Sequence, residues 1–461
     1  MRNQVGTGAD VLIAGFYVSG TGTKTLLIRG VGPGLAALGV SGALADPLLQ
    51  LFDSRGTLLE TNDNWDAALA PTFASVGAFP LSAGNLYSVQ VSGVGGGTGD
   101  SIVELYELPD PLTAARLPKA STRGDVALGF PRIPDRLPTT GTVRFKVIFV
   151  DFRDQPASRT PQSVFSIISP GAESLFRELS YGKLNVVLEA DFRWVRMNKA
   201  STEYGWPSPT FNAHRAYIQE ALDLAVAAGT SFAAADSFIV MANPDTLAFT
   251  SGPAFTPVSA ASGVTASGGT FVNGATSGRD FLTWGYKWFN HEIGHALSLP
   301  DLYAFSGATH RFVGDYSLMS FINGTAPELL AWERWRLGWL DDTQVECPPS
   351  GTSVVALSPV ETPGVTKLIV VPAGRTTAVA VESRRPLGYD TNLTRPGLLV
   401  YYIDTSINSG EGVVKVPPPN EADTRKLNAT LIAGQSLTHE GVTVRFVSGD
   451  ASLVNVQITR P

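Results

Sequence analysis

Apolar and polar positions alternate in short blocks at both ends of the chain and shift to a longer period in its middle. Residues 11–18, 25–29 and 48–52 are apolar or alternating, and they are separated by turn chemistry at 53–56 and 94–100. Short strands at this spacing predict a β-sandwich over 1–107. A Pro-rich linker over 108–140 follows, with Pro109, Pro111, Pro131, Pro134 and Pro138. Strands and helices then alternate from 141 to 345. Residues 143–150 read as a strand, 161–179 as a helix, and 184–188 and 192–195 as two strands. Ala216, Ile218, Ala221, Leu222 and Ala225 give 213–228 helical periodicity. The unbroken apolar run 238–242 predicts a strand buried on both faces. A Gly/Ser/Thr-rich loop, 250–280, precedes a further helix. Residues 346–461 return to strands, clearest at 367–371, 378–382, 398–403 and 442–446, and predict a second β-sandwich. The pattern is that of a multidomain α+β chain, with an α/β domain at 141–345 flanked by two β-sandwiches.

Composition narrows the function classes. At 461 residues the chain has room for two to four domains. Its 47 glycines, 31 prolines and 16% charged residues fit a turn-rich β architecture. A net charge of −7 argues against a nucleic-acid surface. No apolar run approaches the roughly 18 residues of a transmembrane helix. Cys347 is the single cysteine, so no intrachain disulfide forms. No signal peptide is visible at Met1-Arg2-Asn3-Gln4, and we expect an export signal to lie upstream.

One string changes the picture. His291-Glu292-Ile293-Gly294-His295 spends two of the five histidines one helical turn apart. Residues at i and i+4 share a helix side, so both imidazoles can reach one metal ion, and Glu292 stands beside them as a general base toward water. Such a string arises by chance in a chain like this on the order of a few times in a thousand, which makes it a motif rather than an accident. Pro300 ends the helix, and Asp301 is the first residue after the turn able to bind metal. Phe289, Ile293 and Ala296 fall on the opposite face and predict its core side. The oxyanion of amide hydrolysis needs a donor, for which Tyr316 is the first candidate and Tyr303 and His310 the next. The plainer reading makes Tyr316 and Tyr303 packing residues and His310 a surface or core histidine; His214, at the start of a helix, reads as structural. Asp63, Asn64 and Asp66 read either as an Asx-rich turn or as oxygen ligands for a structural calcium ion (Ca2+).

The order of motifs adds a resemblance. "VIFVDFRD", "FRELSYGKL", "HEIGHALSLPDLY", "DYSLMS", "AWERWRLGWL", "AVAVESRRPLGYD" and "RPGLLVYYIDTS" follow one another in this order between residues 147 and 406. In this the chain resembles the immune inhibitor A family of secreted bacterial metallopeptidases. The resemblance implies a zincin-like catalytic domain, a zinc (Zn2+) endopeptidase acting on proteins or peptides, export to the medium or cell surface, and frequent calcium stabilisation. It implies His291 and His295 as ligands, Glu292 as general base and Met319 as a methionine turn beneath the site. "LIRGVGPGLAALGV", "LADPLLQLFDSRG" and "TNDNWD" are similar to sandwich modules appended to secreted and surface proteins of environmental bacteria, which implies binding to a cell surface or polymer. Two positions depart from the family pattern. Ser298 stands where glycine is usual, at a cost on the order of 1 kcal/mol if the backbone there is left-handed. Leu302 stands where an acidic residue is common, which leaves Asp301 as the local third ligand, with Glu333 or Asp315 as more distant alternatives. Two other functions fit the same residues: a catalytically inactive, peptidase-like surface-binding protein, and a zinc hydrolase of non-peptide amides or esters.

Overall fold

The computed structural model describes residues 2–19, 23–63, 78–82, 85–107, 111–417 and 423–460. Asn64 and Asp66 of the candidate calcium turn lie outside the described residues. The chain is mixed α/β and rich in sheet, and it forms two compact units, 1–113 and 114–461.

The first unit holds two antiparallel four-stranded sheets. One orders Arg2–Val5, Gly99–Glu107, Thr23–Val31 and Ala78–Ser82. The other orders Leu12–Val18, Asn85–Gly93, Pro47–Asp53 and Leu58–Asn62. Side chains alternate along a strand, so Leu49 and Leu51 point inward together. They meet Val5, Ile28 and Val103 of the opposite sheet in one core.

The second unit is built on a five-stranded sheet ordered Leu184–Met197, Gly141–Phe152, Ser237–Ala242, Gly274–Thr276 and Ala254–Phe255. The first four strands are parallel and the last is antiparallel. Both faces are covered, which is why Ser237–Ala242 is buried along its whole length. Ile148, Val150 and Phe152 pack with Tyr217, Ile218 and Ala221 of the helix Phe211–Ala227. Phe145 points the other way and meets Phe289 of the helix Tyr286–Ala296, ring centroids 5.3 Å apart. That second helix carries the HExxH string, with Phe289, Ile293 and Ala296 buried.

Four readings of the central region need correcting. The helix over 161–179 is two, Pro161–Phe165 and Gly171–Leu179, because Pro170 has no N–H to continue the ladder. The two strands at 184–188 and 192–195 are one, Leu184–Met197, with a pairing irregularity between Ala190 and Trp194. The stretch 250–280 holds four strands of two or three residues, two of which join the main sheet. Strands this short leave no periodic signal. Finally, 108–140 is not a free spacer. From Ala114 it belongs to the second unit, where Leu117, Val126, Leu128, Ile133 and Leu137 are buried. Ala127 N–H donates to the Ser298 carbonyl (3.0 Å) and Leu137 N–H to that of Ala296 (3.0 Å). Five apolar side chains outweigh the extended bias of the prolines around them.

The C-terminal part has a five-stranded sheet centred on Thr377–Arg384 and Gly397–Asp404. It faces a four-stranded sheet of Gly351–Leu357, Val454–Arg460, Val442–Gly449 and Ser436–His439 across one apolar core. No unit boundary falls near 345. Arg384 of this sandwich bonds Glu382 (2.6 Å), Asp390 (2.6 Å) and the Glu328 carbonyl (3.1 Å), all fully buried. Among the described residues no helix is long and apolar enough to cross a membrane.

Candidate metal centre

Helical spacing puts the His291 and His295 rings 5.0 Å apart, on the side of the helix away from its apolar anchor. The chain then turns sharply. Leu299 N–H returns to the Gly294 carbonyl (2.9 Å) and Ser298 sits in the left-handed region at φ 84°. This is the backbone the departure from glycine put in question. Arg336 donates to Ser298 Oγ (2.9 Å) and to the Gly129 carbonyl (2.9 Å), so the serine brings an acceptor that glycine lacks. The turn delivers Asp301 to the two histidines. Its Oδ1 lies 3.3 Å from both Nε2 atoms.

The orientation of the imidazoles comes from the backbone. His291 Nδ1 meets the Leu318 carbonyl at 2.9 Å and His295 Nδ1 meets the Leu299 carbonyl at 2.8 Å. A carbonyl only accepts, so each Nδ1 carries a proton and each ring turns its Nε2 toward Asp301. Two such nitrogens and one carboxylate oxygen then converge, all within 4.8 Å of one another. Asp301 Oδ1 is buried and has no hydrogen-bond partner. A buried carboxylate between two imidazoles favours a positive charge among them, a proton or a metal ion. Two imidazoles and a carboxylate are also a donor set that zinc takes with a position left open.

Electrostatics point the same way. Burial alone would pull His295 down, but the Asp301 carboxylate outweighs it and lifts the imidazole to about 9. Burial works against Asp301 ionising, yet His295 and His291 hold it well below the carboxylate range. Glu292 is raised, mainly by burial, and its Oε2 accepts from Ala254 N–H (2.7 Å) in the edge strand.

The methionine lies beneath. Met319 is fully buried, and a Cβ on Gly294 would fall 2.6 Å from its Sδ, so the helix needs glycine there. Ser317 Oγ accepts from Met319 N–H (3.1 Å) and donates to Glu333 (2.8 Å). Glu333 is therefore a strut of this turn rather than a third ligand; burial raises its carboxyl to about 7. Asp315 is not at the site either, being held by Arg425 in a two-bond pair (2.8 and 2.5 Å).

The cleft around these residues has a volume of about 660 Å³. Tyr303 and His310 line it, and Tyr303 lies nearly parallel to the His291 ring at 6.2 Å. Tyr316 does not line it. Its ring is buried, with the Arg384 guanidinium 6.0 Å away, so the first candidate for oxyanion donor is a packing residue. The immediate neighbour of a methionine turn can point into the core, and sequence proximity could not reveal which way it goes. His214, read as structural, is buried yet borders the cleft. Arg123, Asp125, Phe211 and Asp280 also line it, and sequence reasoning missed all four. Arg123 and Asp125 come from the segment taken for a linker, and only the exposed aromatic in the first turn of a helix, Phe211, carried a signal that could have been noticed.

No protein-family profile matches the chain, and no characterised protein matches it in sequence. Among solved structures, a glycosylation associate protein complex from Streptococcus agalactiae aligns with 49% of this chain and 51% of that one, at 9% identity and a TM-score of 0.12. A carbohydrate esterase family 2 enzyme with a carbohydrate-binding domain, from Corynascus thermopiles, aligns with 52% and 64% at 10% identity and a TM-score of 0.10. The chain thus spans about half of the first and under two thirds of the second. Overlaps this loose carry no argument about fold or chemistry.

Proposed function

We propose that this protein is a zinc endopeptidase of the immune inhibitor A type, with a zincin-like catalytic fold, that hydrolyses peptide bonds outside the cell. The observation that carries the reading is the convergence of His291 Nε2, His295 Nε2 and Asp301 Oδ1, a buried oxygen, within 4.8 Å of one another. The order of motifs along the sequence supports it independently. On this reading those three side chains hold the ion, and the Leu318 and Leu299 carbonyls fix the two rings. When bound, zinc supplies a Lewis acid that makes water acidic near neutral pH and polarises an amide carbonyl. Glu292 takes the proton of the attacking water and returns it to the leaving amine. Burial raises its pKa toward the working range for both tasks. Tyr303 is the better oxyanion donor in place of Tyr316; burial, with Asp301 and Glu292 nearby, keeps its phenol protonated. The sandwich of the first unit would dock the enzyme on a surface or polymer.

The test pairs metal analysis with casein cleavage by the wild type and Glu292→Ala. We expect one zinc per chain in both proteins, and a loss of roughly 10²- to 10⁴-fold in kcat/KM for the variant. Stoichiometric zinc with no cleavage of casein or peptides by the wild type would instead favour an inactive surface-binding protein.

A further inference from the structure

We propose that Phe211, backed by Phe255 and His214, forms the subsite that receives a bulky apolar substrate side chain beside the scissile bond. This rests on the peptidase reading and names the substrate class of the same cleft. Phe211 opens the helix Phe211–Ala227, whose cap is supplied by Thr210 through Ala213 N–H (3.2 Å). Nothing in that cap calls for a phenylalanine at the first helical position, and its ring is 48% exposed. What sets it apart from other exposed apolar side chains is that it lines the cleft, where a ligand's apolar group can cover it. The ring lies parallel to that of Phe255, at 8° and 6.0 Å, and the His214 ring meets Phe255 edge-on at 5.9 Å. All three line the cleft together with His291, Glu292, His295 and Asp301.

Position relative to the chemistry is set by the edge strand. Phe255 follows Ala254, whose N–H holds Glu292, so the aromatic wall begins one residue from the carboxylate that moves the proton. His214 adds no charge to it. Its Nε2 bonds Thr276 Oγ1 (2.9 Å), and burial lowers its pKa to about 4. Elsewhere the cleft is lined by Trp284, Phe321 and Ile322 and by the ion-paired Arg123 and Asp125.

The experiment uses blocked hexapeptides that differ only at the two residues flanking the cleaved bond, carrying Phe, Leu, Ala or Asp. Cleavage is read by mass spectrometry, and binding to uncleaving Glu292→Gln protein is read by calorimetry. We expect kcat/KM for Phe and Leu peptides to exceed that for Ala and Asp by roughly tenfold or more, with the same order in binding. Phe211→Ala should erase most of that preference and Phe211→Leu should keep much of it, with melting curves showing both variants folded. A wild type without preference, a folded Phe211→Ala with the wild-type profile, or no peptide binding at all would overturn the subsite. Discriminating binding with no cleavage by the wild type would leave the subsite standing and remove the peptidase reading.

Discussion

Two clusters of buried ionisable side chains lie in the second unit, and they are built on opposite principles. Where the C-terminal sandwich meets the helix Ala331–Arg336, two guanidiniums and three carboxylates are bonded to one another and to the backbone. Arg334 bonds Glu328 (2.5 Å) and the Leu329 and Leu179 carbonyls, while Arg384 bonds Glu382, Asp390 and the Glu328 carbonyl. The other carboxylate oxygens take Ala331 N–H, Tyr401 O–H, Tyr389 N–H and Glu328 N–H. At the HExxH helix each Nδ1–H is spent on a backbone carbonyl, and two Nε2 atoms meet a single carboxylate oxygen. The first cluster pairs fixed guanidiniums with carboxylates and holds two parts of the fold in register; the second pairs a carboxylate with imidazoles, whose charge depends on pH.

The sharpest way to break this comparison is to remove one charge from each cluster in zinc-free protein. Arg384→Met strands Glu382 and Asp390 without their cation, and we expect a loss of about 3–5 kcal/mol in urea unfolding. Asp301→Asn should cost less than Arg384→Met, because the partner imidazole can shed its proton near neutral pH and a guanidinium cannot. Equal losses for the two variants would mean that the metal centre is simply another structural cluster.

The contrast also explains what could be read from the sequence. The HExxH helix was legible because periodicity reports which face is buried, and Phe289, Ile293 and Ala296 are indeed the anchored side. The turn was legible through Pro300, and Ser298 could be singled out by its residue type; its φ of 84° shows why glycine would suit it. The two carbonyls that orient the imidazoles were not legible, since every residue has a carbonyl and only the fold aims it. Tyr316 misled for a related reason: adjacency to Met319 fixes where a residue is, not where its side chain points. Segment 114–140 misled because Pro131, Pro134 and Pro138 signal an extended backbone, and an extended backbone packs as readily as it spans.

Zinc itself sharpens the comparison at intermediate cost. In metal-free protein His295 titrates at about 9, so at neutral pH its proton must leave before the site can take an ion. The sign follows: below about 9, apparent zinc affinity should fall roughly tenfold for each unit of pH, with about one proton released per ion bound. Calorimetry at pH 7 and pH 8 in buffers of different ionisation enthalpy measures both. At a zinc concentration 100 times Kd, stability should rise by about 2.7 kcal/mol, seen as a higher Tm. A pH-independent affinity would mean that the imidazoles are already neutral, and that Asp301 does not hold a proton there.

The smallest effect concerns the turn that joins the ligands, where strain and hydrogen bonding oppose each other. Ser298 sits in a left-handed conformation that glycine adopts without cost, a difference on the order of 1 kcal/mol. Against this, its hydroxyl accepts from Arg336, a buried guanidinium whose pKa burial lowers and whose Nη1 has no hydrogen-bond partner. Removing an acceptor from such a group costs about 1–3 kcal/mol. Ser298→Ala loses the bond and keeps the strain, so we expect a loss of about 2 kcal/mol. Ser298→Gly loses the bond and relieves the strain, so the net loss should be about 1 kcal/mol. Urea unfolding of the two variants beside the wild type gives the order directly. If Ser298→Gly proved more stable than the wild type, strain would dominate and the bond to Arg336 would contribute little; the order wild type, glycine, alanine means the chain has exchanged an easy turn for a buried anchor behind Asp301.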